Sequence, residues 1–149
     1  KYGYDAVFYP HFEVQRFLSS FHTENPHVKI GALGQMDVQT LLMASALLIT
    51  DFSSIQFDFA YMLKPEIYYQ FDEARYWGTH HDRGYFDYRV DGFGAVVTTQ
   101  EALLTAIETA LASECAVTPE MQKHIRDTFG ALDDHNCERN HQAIRELMS

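Results

Sequence analysis

Two adjacent serines, Ser53 and Ser54, followed by a carboxylate at Asp58, are the residues of this chain whose types and spacing point most directly to chemistry. They follow a short apolar, β-prone run at residues 47–50 (Leu47, Leu48, Ile49, Thr50) and Asp51. After them come Ile55, Phe57, Phe59, Ala60, Met62 and Leu63, apolar enough for a buried helix. Strand, tight turn and helix in that order bring free N–H groups and the positive end of a helix dipole to the carboxyl edge of a parallel sheet. Open α/β folds bind anions at that edge. The two hydroxyls add donors, and Asp58, about one turn into the helix, comes within reach of whatever the phosphates are attached to.

Each of these residues also has a plainer reading. Ser53 and Ser54 are favoured helix caps in any α/β protein. Asp58 stands in a mostly apolar helix, where an unpaired carboxylate near a core is costly; it requires either a nearby cation or hydrogen-bond donors such as ribose hydroxyls. His11 follows the first strand at the carboxyl edge of the sheet, where a lone histidine is commonly a solvated or satisfied loop residue. Arg83, in an acidic chain, is a candidate phosphate clamp beside the ordinary reading of a solvated arginine. His80, His81 and Asp82 do not have the spacing of a metal site, since adjacent histidines diverge and no third ligand follows at a fixed interval. No metal and no cofactor is expected. Tyr85, Phe86 and Tyr88 read as packing residues.

The elements that must position these groups alternate along the chain. Strands are expected at residues 6–9, 28–33, 47–50, 66–70 and 95–98. Helices are expected at 13–21, after the cap Asp37, after the two serines as far as about Leu63, after a capping box of Thr98 and Glu101, after Thr118-Pro119, and at 136–148. Pro65 ends the central helix by disfavouring helical geometry at Lys64. Residues 71–92, rich in aromatic, charged and histidine side chains, read as one long loop of the kind that is functional or mobile. Alternation of this kind implies βαβ crossovers, and hence an α/β fold: a Rossmann-like parallel sheet of about five strands with helices on both faces.

Length and charge narrow the function. At 149 residues, with 46% hydrophobic and 14% aromatic residues, the chain fits one domain, 1–149, with a core of its own. A net charge of −10 with only 11 lysines and arginines disfavours a nucleic-acid partner, so an anionic ligand must be held locally by helix ends and a few cations. Two cysteines, Cys115 and Cys137, without metal spacing fit a reducing compartment, and no membrane-spanning run or signal-peptide pattern is present. The chain opens at Lys1 and moves almost at once into a strand, which suggests a piece of a longer protein.

The central stretch also carries a family resemblance. Thr50-Asp51-Phe52-Ser53-Ser54, continuing through Phe57-Asp58-Phe59-Ala60 to Lys64-Pro65, resembles the "TDYSS…FD…KP" signature of the CDP-glycerol glycerophosphotransferases, the teichoic-acid polymerase family. Tyr9-Pro10-His11 resembles its strand-end histidine, and the segment from Asp82 through Arg83-Gly84-Tyr85-Phe86-Asp87-Tyr88 resembles its "RGFYFDY". The three motifs span roughly residues 6–98, and residues 134–139, with the Glu138-Arg139 pair, are similar more loosely. The sequence departs from the pattern at Phe52, where Tyr is commoner; at Asp91-Gly92-Phe93-Gly94, where a Pro-Gly-Pro turn is usual and a more flexible loop is therefore expected; and at Asp134-His135, which lacks the usual glycine.

The resemblance implies the C-terminal, nucleotide-donor half of a GT-B fold, with an N-terminal domain missing here. It implies that His11 stabilises the donor phosphate and that Asp58 is a donor-site residue, beside Ser53, Ser54 and Arg83. The implied partner is CDP-glycerol or a related nucleotide donor, with a polymer acceptor and the general base belonging to the missing domain. A cytoplasmic location is implied, with peripheral association at the inner face of the membrane through the missing part left open. Two alternatives stand beside this reading: a GT-B glycosyltransferase using another nucleotide-sugar, and a non-catalytic nucleotide-binding or receiver-like α/β module. The receiver version is disfavoured because Pro10-His11 stands where an acidic pair would be needed after the first strand.

Overall fold

The computed structural model describes residues 2–79 and 84–148. The chain forms two compact units, Lys1–Ala46 and Leu47–Ser149. The five expected strands are present and their pairing is parallel throughout, but they are joined as two ladders of two and three strands, not as one five-stranded sheet.

In the first unit, β1 (Ala6–Phe8) pairs with β2 (Val28–Ile30) in the register Ala6↔Val28 to Phe8↔Ile30. The helix expected at 13–21 is instead a 3₁₀ helix, Gln15–Ser20, interrupted at Phe17 (φ −108°, ψ 17°). Its N-cap, Val14, has no side-chain oxygen to offer the first turn. Gln15 is occupied elsewhere: its Nε2 donates to the Pro10 carbonyl at 2.9 Å and its Oε1 accepts from the Leu33 N–H at 3.0 Å. Asp37 caps α1 (Val38–Ala44) as expected, Oδ2 accepting from the Thr40 N–H at 2.7 Å.

In the second unit, β3 (Leu48–Thr50), β4 (Glu66–Tyr69) and β5 (Gly94–Val97) form the sheet in that order, with β4 central. Glu66, Ile67 and Tyr68 are all buried, and since successive residues of a strand point to opposite faces, both faces of β4 are covered. α2 (Ile55–Tyr61) crosses from β3 to β4 and packs on both, and α4 (Gln100–Ala112) packs on β4 and β5. α2 stops before Leu63, which has a positive φ of 54°. A leucine in that region is strained, and its packing against the core cluster opposes the strain.

Two boundaries differ from expectation. The 71–92 segment contains a helix, α3 (Glu73–Thr79), whose first turn is closed by the Asp72 carbonyl accepting from the Arg75 and Tyr76 N–H groups. The cap of α4 is Thr99 rather than Thr98: Thr99 Oγ1 accepts from the Ala102 N–H at 3.2 Å, so the Thr98 and Glu101 box does not form. The Val97 carbonyl still pairs with the Gln70 N–H, so the chain leaves the sheet one residue later than the box requires.

The core lies where α2, α5 (Pro119–Phe129) and the segment around Phe93 meet, with Ala60, Phe93 and Ile125 buried together and Phe57, Leu63, Phe86, Met121 and Phe129 packed around them. The Asp91-Gly92-Phe93-Gly94 segment is therefore packed, not loose. A Cβ on Gly92 would lie 2.2 Å from the Tyr88 carbonyl oxygen, and one on Gly94 would lie 1.9 Å from that of Glu66. α5 begins, as expected, with Thr118 Oγ1 accepting from the Met121 N–H and Pro119 in the first turn. α6 (Asn136–Leu147) has no buried residue. Its start is tied down by Tyr61, whose hydroxyl donates to the Asp133 carbonyl at 2.8 Å and accepts from Asn136 Nδ2 at 3.2 Å. Arg139 grips Asp133 through both guanidinium nitrogens, at 3.1 and 2.7 Å, a structural use of the Glu138-Arg139 pair. Among the described residues no helix is long and apolar enough to cross a membrane, and Cys115 and Cys137 are both free.

Candidate functional site

The turn between β3 and α2 is held from below and from the side. Gln70, 1% exposed, donates from Nε2 to the Asp51 carbonyl at 3.2 Å. Asp51 Oδ1 accepts from the Phe52 N–H at 2.7 Å. The Phe52 ring lies flat on Tyr76 of α3, with centroids 3.8 Å apart and planes at 6°, and meets Trp77 and Tyr88 edge-on at 5.6 and 5.8 Å. An aromatic ring at position 52 therefore serves as an anchor between the turn and α3. The hydroxyl that a tyrosine would add is not needed for that contact.

Ser53, Ser54 and Asp58 come together as the sequence predicts, though not all in the predicted roles. Ser54 is the N-cap residue of α2, but its backbone is already helical (φ −67°, ψ −12°) and its side chain caps nothing. Ser53 Oγ accepts from the Ile55 N–H at a long 3.4 Å. The N–H groups of Gln56 and Phe57 turn back to the carbonyls of Ser53 and Ser54, at 3.5 and 3.1 Å. The N–H groups of Ser53 and Ser54 make no hydrogen bond with the described residues. Asp58 is exposed, which corrects the expectation of a carboxylate close to the core, and among the described residues it has no ion pair or hydrogen bond. Residues four apart on a helix share a face. Ser54 and Asp58 thus present a free hydroxyl and a free carboxylate on one exposed side of the first turn.

His11 belongs to the first unit, exposed, just past the carboxyl end of β1, with Nδ1 accepting from the Glu13 N–H at 3.4 Å and its ring 4.3 Å from that of Phe12. Arg83, together with His80, His81 and Asp82, lies outside the described residues. Arg89 is engaged in a two-pronged ion pair with Glu73, at 3.1 and 2.9 Å, which ties α3 to the turn at 87–91. Of the expected packing residues, Phe86 and Tyr88 pack and Tyr85 is fully exposed. Among the described residues no group of three His, Cys, Asp or Glu side chains could hold a metal ion.

Sequence reading missed a buried polar stripe directly beneath the turn. Glu66 and Tyr68 lie on one face of β4, two residues apart, and Gln70 follows in the same alternation. The Tyr68 hydroxyl lies 2.5 Å from both Gln56 Oε1 and Glu66 Oε1 and accepts from the Phe93 N–H at 3.0 Å. Burial lifts the Glu66 carboxyl from the ordinary range to about 7, opposed by its hydrogen bond to Tyr68. The alternation Glu-x-Tyr-x-Gln was the available signal. Such alternation ordinarily marks a solvated face, but a strand covered on both sides has none.

The profile of the CDP-Glycerol:Poly(glycerophosphate) glycerophosphotransferase family matches residues 2–144. The chain belongs to this family. Among curated relatives, the minor teichoic acid biosynthesis protein GgaB of Bacillus subtilis (strain 168) is 31% identical over 147 residues, which is 99% of this chain and 16% of GgaB. The teichoic acid glycerol-phosphate transferase of Staphylococcus aureus (strain NCTC 8325 / PS 47) is 36% identical over 72 residues, 48% of this chain and 18% of that protein. The chain thus spans less than a fifth of either relative. The solved structure of the wall teichoic acid polymerase TagF superposes with a TM-score of 0.70 at 19% identity, covering 98% of this chain and 36% of that one. That likeness bears out the α/β, Rossmann-like class.

Proposed function

We propose that this chain is the nucleotide-donor part of a glycerophosphotransferase that moves glycerol phosphate, or ribitol phosphate, from a CDP carrier to a polymer acceptor. Ser53 and Ser54 hold the diphosphate with their hydroxyls and free N–H groups, His11 and Arg83 supply compensating charge, and Asp58 accepts hydrogen bonds from the ribose. The observation that carries this reading is the free hydroxyl of Ser54 and the free carboxylate of Asp58 on one exposed helix face at the carboxyl end of β3, in a chain of this family. Chemistry of this kind is positioning and electrostatic stabilisation of the departing cytidine monophosphate. The acceptor and the general base belong to the rest of the polypeptide, so these 149 residues bind nucleotide without turnover. Turnover at full-length rates would refute that division.

The test is a calorimetric titration of CDP-glycerol, UDP-glucose and GDP-mannose, in which preference for a purine nucleotide overturns the CDP reading. Asp58→Asn is then expected to weaken CDP binding by about 1.5–3 kcal/mol, the loss of a charged hydrogen bond. Because Asp58 is exposed and without an ion partner among the described residues, the unfolding midpoint without ligand should not move. A lower midpoint with the CDP response intact would remove Asp58 from the site.

A further inference from the structure

With the Gln56 oxygen facing Tyr68, as in the structure, the contacts of Tyr68 balance only if Glu66 carries a proton. A phenol has one hydrogen to donate and two lone pairs to accept with. The Tyr68 hydroxyl has the Phe93 N–H donating to it and two oxygens, Gln56 Oε1 and Glu66 Oε1, each at 2.5 Å. With Glu66 ionised, both oxygens compete for one hydrogen, and one short contact is left without any. With Glu66 protonated at Oε1, Glu66 donates to Tyr68, Tyr68 donates to Gln56, and every contact holds one hydrogen. The remaining oxygen, Glu66 Oε2, is buried without a partner. A neutral carbonyl tolerates that position far better than a carboxylate does.

This arrangement reaches the candidate site through Gln56, the second residue of α2, which is 2% exposed. Its own N–H leads to the Ser53 carbonyl, and Tyr88, whose ring meets that of Tyr68 edge-on, also meets Phe52 of the turn. The titratable groups that face the Glu66 carboxyl are Tyr68, on its own strand, and Tyr88, from the turn after α3; Asp51 acts on Tyr88 in turn. On the neighbouring strands, β3 sets Leu48 and β5 sets Gly94 opposite Glu66. We infer that Glu66 is held as a carboxylic acid and, through Tyr68 and Gln56, positions the first turn of α2 and the turn carrying Ser53 and Ser54, so that ionising it loosens the turn. Its consequence for ligand rests on the reading above; the coupling itself does not.

Two measurements separate the two. In the ligand-free chain, the Glu66 carboxyl carbon and the amides of Ser53, Ser54, Ile55 and Gln56 are followed by NMR from about pH 5 to 8.5. The carboxyl is expected to titrate near 7, the amides to follow the same curve, and Glu66→Gln to remove that curve from the amides. A carboxyl that titrates in the ordinary carboxylate range, as it would with the Gln56 amide reversed and Glu66 ionised, overturns the inference. So do amides that stay still while the carboxyl titrates; both readouts come from the unmodified chain and survive a variant that fails to fold. With CDP as the probe, affinity is expected to fall about five-fold more from pH 6 to 8 in the unmodified chain than in Glu66→Gln, a difference that cancels the groups titrating in both. An equal fall in both shows that ligand binding does not depend on Glu66 and overturns its positioning role. If the amides titrate as expected and CDP does not bind, the proposed function fails and the coupling stands.

Discussion

A Glu66→Gln chain is expected to be more stable than the unmodified chain at pH 8 and no more stable at pH 4.5. The carboxyl moves from 4.5 to about 7 on folding, because burial penalises its charged form. Below 4.5 it is protonated in both folded and unfolded chains. Between 4.5 and 7 the unfolded chain loses the proton first, so rising pH favours unfolding, and above 7 the penalty is constant. At about 1.36 kcal/mol per pKa unit, the penalty is on the order of 3 kcal/mol. Glutamine is never charged, but its amide leaves one hydrogen unpaired at a cost of about 1 kcal/mol. The net gain at pH 8 is therefore about 2 kcal/mol. Urea unfolding of both chains across the pH range measures it, and the difference between them cancels the histidines that titrate in the same window. A difference that does not change with pH would show that Glu66 is ionised in the folded chain.

Phe93→Ala is expected to lower the folding stability by about 3–5 kcal/mol. The ring is 1% exposed and meets Phe57, Phe86 and Phe129 with centroids 5.8, 6.3 and 5.6 Å apart. Against a typical stability of about 5–15 kcal/mol, such a loss leaves part of the population unfolded at room temperature. The flanking glycines make relaxation difficult, because Gly92 and Gly94 already lie close to the Tyr88 and Glu66 backbones. Phe93→Leu should restore more than half of the loss in equilibrium unfolding. A loss from Phe93→Ala below about 1.5 kcal/mol would mean that the cavity collapses and that Phe93 is not the centre of this core.

The elements that the sequence announces most clearly are those with a chemical start signal. Asp37 and Thr118 cap helices where expected, because a short side-chain oxygen ahead of an apolar stretch has few other local uses. The run from Leu47 to Thr50 is legible as a strand, although none of its residues is buried and Ile49 is exposed, and Ser54 and Asp58 fall on one helix face because a spacing of four fixes that. The errors share a cause: they concern what surrounds a residue, which spacing does not encode. The apolar neighbours of Asp58 in sequence place it near the core, yet the helix turns it outward. α3 was hidden by its aromatic and charged composition; Tyr76 and Trp77 are there to receive Phe52, a partner more than twenty positions away. The stripe of Glu66, Tyr68 and Gln70 reads as a wet face unless it is known that α2 lies over it.

The exposure of α6 along its whole length sets the order in which the second unit comes apart. No residue of this helix is buried, and its described ties to α2 are gathered at its first turn, through Tyr61. Helices without a buried face open locally at a small fraction of the global unfolding free energy. The amides of residues 140–147 should therefore exchange with solvent deuterium well before those of β4, whose residues Glu66, Ile67 and Tyr68 are all buried. Brief proteolysis should likewise trim the chain from this end while the Tyr68 amide stays protected. The last turns of α6 then behave as a detachable segment, and the Tyr61, Asp133 and Arg139 contacts are the point at which detachment stops.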